Sequence, residues 1–76
     1  MQTIYDYPIT VFYDSHDNDF IAFFVDMPHI SAFGETPNEA VSELYEAGEM
    51  CFETMIEDQM HIPKPTSIKT PLALVA

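Results

Sequence analysis

The sequence predicts one α+β domain. Three observations carry this: apolar runs of strand length separated by polar turns in the first half, a sharply started helix in the second, and a length that holds a single core. A chain of 76 residues buries only about 60% of the surface that its unfolded form exposes. One domain spanning residues 1–76 is therefore expected. With 47% hydrophobic and 13% aromatic residues the chain has enough apolar material to fold in spite of its charge.

The elements follow in order. Tyr7-Pro8-Ile9-Thr10-Val11-Phe12-Tyr13 alternates, with Ile9, Val11 and Tyr13 on one face and Thr10 and Phe12 on the other, so it reads as a first strand. The turn formers of Asp14-Ser15-His16-Asp17-Asn18-Asp19 lead into Phe20-Ile21-Ala22-Phe23-Phe24-Val25, and the two runs make a hairpin. Asp26-Met27-Pro28-His29 breaks the second run, after which Ile30-Ser31-Ala32-Phe33 forms a short third strand that stops at Gly34. The result is a three-stranded antiparallel meander.

Thr36-Pro37-Asn38-Glu39 is a helix start: Thr36 caps, Pro37 takes the first helical position, and Glu39 can reach back to the Thr36 amide. Ala40, Val41, Leu44, Ala47, Gly48, Cys51, Phe52 and Met55 recur at helical spacing as one apolar stripe, expected to pack on a sheet face. Opposite them Glu39, Glu43, Glu46, Glu49, Glu53 and Glu57 follow at steps of three or four residues, a carboxylate ridge with no cation between its members. The helix should end before Pro63, and Ile62-Pro63-Lys64-Pro65 reads as extended chain because a residue preceding proline is pushed out of the helical region. Ser67-Ile68-Lys69 and Leu72-Ala73-Leu74-Val75 are candidates for a short final strand, interrupted by Pro71.

Thirteen acidic residues against two basic ones leave a formal charge of −11. Such a surface repels phosphate backbones and argues against direct nucleic-acid binding; Lys64 and Lys69 are too few to neutralise a run of phosphates. The N-terminus has no basic and apolar leader pattern, and no apolar stretch is long enough to span a bilayer, so a cytoplasmic location without membrane contact is expected. Cys51 is the single cysteine, which excludes an internal disulfide. A core this small without a disulfide is marginal, and a homodimer or higher assembly is the expected remedy.

The order of these pieces resembles the HicB antitoxin family over most of the chain. The residues that carry the resemblance are Tyr7-Pro8-Ile9, Phe20-Ile21-Ala22, Asp26-Met27-Pro28, Gly34-Glu35-Thr36 with Glu39-Ala40, and Ile62-Pro63-Lys64-Pro65. Each is short and common; their order and spacing are the specific part. The resemblance implies a partial RNase H-like fold of order β-β-β-α-β. It also implies a partner, since HicB proteins neutralise HicA toxins, small basic ribonucleases with a double-stranded-RNA-binding fold and a catalytic histidine, by covering that site. One departure concerns the C-terminal DNA-binding domain that many HicB proteins carry: none is visible in this sequence, so operator binding is not expected of this chain.

The candidate site is therefore a protein-binding surface without catalytic residues, metal or cofactor. Glu39, Glu43, Glu46, Glu53 and Glu57 of the ridge are the expected contacts, with Asp14, Asp17 and Asp19 of the hairpin as a second acidic cluster. The near absence of Lys and Arg distinguishes the ridge from an ordinary solvated helix face, which mixes signs to gain side-chain pairs. The hairpin acids lack the alternating ligands, central glycine and distant glutamate of a calcium loop, and a solvated turn is the plainer reading. An RNase H-like metal centre built on Asp14, Asp19 and Asp26 would make the protein a nuclease, but a fold does not supply a site and the surface repels the substrate. His16, His29 and His61 lack zinc spacing and are expected at the surface, whereas Cys51 on the apolar stripe is expected to be buried and unreactive. Because one helix covers one sheet face, Phe12, Phe23 and Phe33 are expected in the core or on an uncovered second interface. Two alternatives remain: an orphan oligomerising domain with no toxin partner, and the metal-dependent nuclease.

Overall fold

A computed structural model describes residues 3–66. A 3-10 turn at Ile4–Asp6 is followed by β1 (Ile9–Asp14), β2 (Asp19–Phe24), β3 (Met27–Gly34) and α1 (Pro37–Glu57). The strands form one antiparallel sheet in the order β1-β2-β3, with the helix on one face. The expected α+β meander and helix are both present. The final strand expected at 67–69 and 72–75 lies outside the described residues.

Register explains which side chains meet the helix. Ile9 pairs with Phe24, Val11 with Ala22 and Tyr13 with Phe20, and Ala22 pairs onward with Ala32. Side chains alternate across a strand, so these residues share the covered face, where Ala22, Phe24, Ile30 and Ala32 are buried against Ala40, Leu44, Phe52 and Met55 of α1. The helix packs chiefly over β3 and β2, leaving Ile9 and Val11 of β1 half-buried. The opposite face carries Phe12, Ile21 and Phe33 in one cross-strand row, with Phe23 beside Thr10 and Ser31. Phe12 is 46% and Phe33 55% exposed, so these phenylalanines lie on the uncovered face and not in the core.

The third strand begins earlier than the sequence suggests. Asp26-Met27-Pro28-His29 is expected to separate the second strand from a third over residues 30–33, yet Val25 and Asp26 alone make the turn and β3 starts at Met27. Proline is tolerated at position 28 because β3 is an edge strand, where an N–H can be missing without loss of a ladder bond. Pairing there is irregular: Phe24 meets Met27 while Phe23 meets Ser31, so Pro28, His29 and Ile30 fall between two registers. His29 thus stands on a strand, exposed as expected.

Both ends of α1 have a chemical cause. The Glu39 amide donates to Thr36 Oγ1 at 3.1 Å, as the capping sequence requires. The return bond differs by one residue, since Glu39 Oε1 accepts from the Glu35 amide rather than that of Thr36. At the C-terminus the Gln59 amide donates to the Ile56 carbonyl and the Met60 amide to the Met55 carbonyl, with Gln59 at φ 55°. This is the paired-bond Schellman ending, here with glutamine at the left-handed position. Beyond it the extended segment folds back on the sheet: Tyr7 Oη donates to the Pro63 carbonyl at 2.6 Å, and Asp26 accepts from both the amide and the hydroxyl of Thr66.

Candidate functional site

The helix displays its acids as its spacing dictates. Ala40, Leu44, Gly48 and Phe52 are buried, and Glu39, Glu43, Glu46, Glu49, Glu53 and Glu57 are all exposed. Successive members of this ridge are neighbours on the helix surface, so like charges line one side of α1. Two of them are engaged: Glu39 at the helix start, and Glu49, whose Oε1 accepts from Tyr5 Oη at 3.2 Å. That contact raises the Tyr5 pKa, first through the nearby Glu49 charge and then through the hydrogen bond, both of which favour the protonated phenol.

The hairpin acids also come together. Asp14, Asp17 and Asp19 each place a carboxylate oxygen within 4.8 Å of the others. Asp14 Oδ1 accepts from the His16 amide, which shapes the turn, and Asn18 takes the left-handed conformation at φ 56°. Asp14 and Asp19 are the last cross-strand pair of β1 and β2, with Asp17 in the turn between them, so the hairpin register itself brings the three together, and the cluster by its shape alone does not establish an ion site. The trio Asp14, Asp19 and Asp26 does not assemble: Asp19 opens β2 and Asp26 follows its end, roughly 20 Å apart along an extended strand. Asp26 is instead tied to Thr66, whose hydroxyl and amide stabilise the carboxylate and lower its pKa.

Cys51 departs from expectation, being exposed. The buried positions Ala40, Leu44, Gly48 and Phe52 advance in steps of four, and each step turns about 40° around a helix of 3.6 residues per turn. By the fourth turn the line of contact has moved onto Phe52 and away from Cys51. The thiol lies instead beside Met50, Met55 and Met60 in an open groove of about 360 Å³.

Sequence reasoning missed a second groove, of about 330 Å³, where the Ile4–Asp6 turn meets the C-terminal half of α1. Its residues are 44 positions apart in the case of Tyr5 and Glu49. The local signal for the turn was present, since Thr3 and Asp6 form a reciprocal capping pair, but nothing in a linear pattern places that turn against the helix.

No curated protein matches this chain at a significant level. Among solved structures, the N-terminal domain of the Burkholderia pseudomallei antitoxin HicB is similar, with a TM-score of 0.65 and 28% identity, covering 92% of this chain and 79% of that one. No described helix is long and apolar enough to cross a membrane. The sequence pattern of the HicB-like antitoxins of bacterial toxin–antitoxin systems matches residues 6–76. With the meander, the capped acidic helix and the strap back to Tyr7 and Asp26 in place, this chain belongs to the HicB-like antitoxin family.

Proposed function

We propose that the protein is an antitoxin that binds a small basic HicA-type toxin in the cytoplasm and covers its RNA-cleaving surface, acting by occlusion and not by catalysis. The observation that carries this reading is the exposed row of glutamates on α1, which has no basic residue among them. A negative face speeds encounter with a positive partner and competes with RNA for it. Glu39, Glu43, Glu46, Glu53 and Glu57 are the proposed contacts, and Asp14, Asp17 and Asp19 form the second acidic cluster. A homodimer or higher assembly through the uncovered sheet face belongs to the same reading, supported by the exposed row of Phe12 and Phe33.

The test is a search beside this gene for a small basic reading frame of the HicA type, followed by co-expression of that neighbour with this protein. Growth arrest by that neighbour alone, relieved by this protein, is the expected result; arrest that persists would remove the antitoxin reading. Reversing two ridge charges, Glu43→Lys with Glu46→Lys, should weaken the complex by about tenfold, equivalent to about 1.4 kcal/mol, and flatten its salt dependence. Unchanged affinity would show that the ridge is only solvated.

A further inference from the structure

The groove beside the N-terminal turn has a chemistry that the ridge as a whole does not. Its floor is apolar: Ile4 is 3% and Phe52 8% exposed, with Ile56 at the edge. Tyr5 forms an aromatic wall, and Glu49 and Glu53, one helical turn apart, line it as well. Among the described residues no Lys or Arg lines it. Tyr5 and Glu49 are held in place, the phenol by its hydrogen bond to the carboxylate and the ring by contact with Tyr45 at 4.9 Å between centroids.

Each kind of occupant can be weighed against this lining. An acidic side chain would meet two carboxylates, and a wholly aliphatic one would strip water from them without replacing it. A side chain with an apolar stem and a cationic end satisfies both parts, because the stem covers apolar surface while the head meets the charges. Arginine does so best: its planar guanidinium pairs with carboxylates through two parallel hydrogen bonds and stacks on aromatic rings, whereas an ammonium acts as a point charge.

We propose that the groove between the Ile4–Asp6 turn and α1 receives an arginine side chain of a basic partner protein, with its stem on Phe52 and Ile56 and its guanidinium at Glu49 and Glu53. This deepens the antitoxin reading by naming where on the acidic helix the partner is anchored, and it rests on that reading for the partner's identity. It gives the glutamates unequal roles. Glu49 and Glu53 grip one residue in the groove, while Glu39 and Glu43, nearer the helix start, meet the partner outside it.

The experiment titrates the 15N-labelled protein with a blocked tetra-arginine peptide and, separately, with a blocked tetra-lysine peptide of equal charge. Amide shifts should concentrate at Ile4, Tyr5, Glu49, Phe52 and Glu53, with arginine bound several-fold more tightly than lysine. The double variant Glu49→Gln with Glu53→Gln keeps the shape of exposed side chains and an acceptor for Tyr5. It should weaken the arginine peptide by about tenfold, while Glu39→Gln with Glu43→Gln, which removes the same charge, should weaken it by about twofold. Shifts spread evenly over the acidic surface, equal affinity for the two peptides, or equal effects of the two double variants would overturn the proposal. Toxin rescue separates it from the wider reading. Peptide capture in the groove without rescue supports the groove and removes the toxin as its partner; full rescue by Glu49→Gln with Glu53→Gln, at unchanged toxin affinity, removes the groove and leaves the antitoxin.

Discussion

The Phe24 ring lies against the bare backbone of Gly48: a β-carbon there would stand 2.7 Å from Cε2 and 3.0 Å from Cζ. Glycine inside a helix costs about 1 kcal/mol relative to alanine, so helix propensity alone favours Gly48→Ala. Phe24 is fully buried and has little room to yield. Overpacking of a tight core costs about 1–3 kcal/mol, which outweighs the propensity gain. Gly48→Ala is therefore expected to lower the urea midpoint, and Phe24→Leu added to it should recover part of the loss. A rise in midpoint for the single variant would show that the ring moves freely.

Gly34 faces a harder obstacle. A β-carbon there would meet the backbone of Ala40 and stand 2.8 Å from the Glu39 carbonyl carbon. Backbone cannot rotate aside as a ring can, so the first turn of α1 would have to retreat from β3. Gly34→Ala should cost more than Gly48→Ala, about 2 kcal/mol or more, measured by thermal or urea unfolding. It should also reduce protection of the amides at the start of α1 in hydrogen exchange.

The bond pair from Thr66 to Asp26 makes the strap acid-sensitive. The carboxylate accepts from the Thr66 hydroxyl and amide, and its pKa is lowered. A lowered folded-state pKa contributes stability that is present above the unfolded value and is lost as pH falls through the folded one. The strap should thus be intact at neutral pH and loosen only in the acid range below an ordinary aspartate. Carboxyl-carbon NMR checks this: Asp26 should titrate below the ordinary aspartate value, and Thr66→Ala, which keeps the amide bond but removes the hydroxyl, should bring its midpoint partly back up.

Gln59 holds the left-handed position that ends α1, at φ 55°. That conformation costs a residue with a β-carbon about 1–2 kcal/mol, while glycine adopts it freely at some cost in unfolded-chain entropy. Gln59→Gly should stabilise the protein by about 0.5–1 kcal/mol, read as a higher melting temperature with unchanged partner binding. A lower melting temperature would mean that the Gln59 side chain contributes more than its backbone strain costs.

The hairpin acids, with oxygens within 4.8 Å of one another, offer a direct check on the nuclease alternative. Millimolar calcium or magnesium should raise the melting temperature no more than sodium chloride of equal ionic strength, because screening acts on all the acids alike. Asp17→Asn should stabilise slightly by removing like charge from the turn. A cation-specific rise that disappears in Asp17→Asn would instead establish an ion site there.

Patterns that act over a few residues were fully legible in the chain. Alternation in Ile9, Val11 and Tyr13 determined the strand faces, Thr36 and Pro37 the helix start, and the glutamate spacing the exposed ridge, because period and capping depend on near neighbours. The order of motifs likewise carried the family. Other features needed the assembled fold. Pro28 lies within β3 because that strand is at the sheet edge, and Cys51 is exposed because the contact line turns around the helix as it climbs. The groove at Tyr5 and Glu49 exists only where a short N-terminal turn packs on the far end of α1. Contacts over such separations are set by how whole elements pack, and no local spacing encodes them.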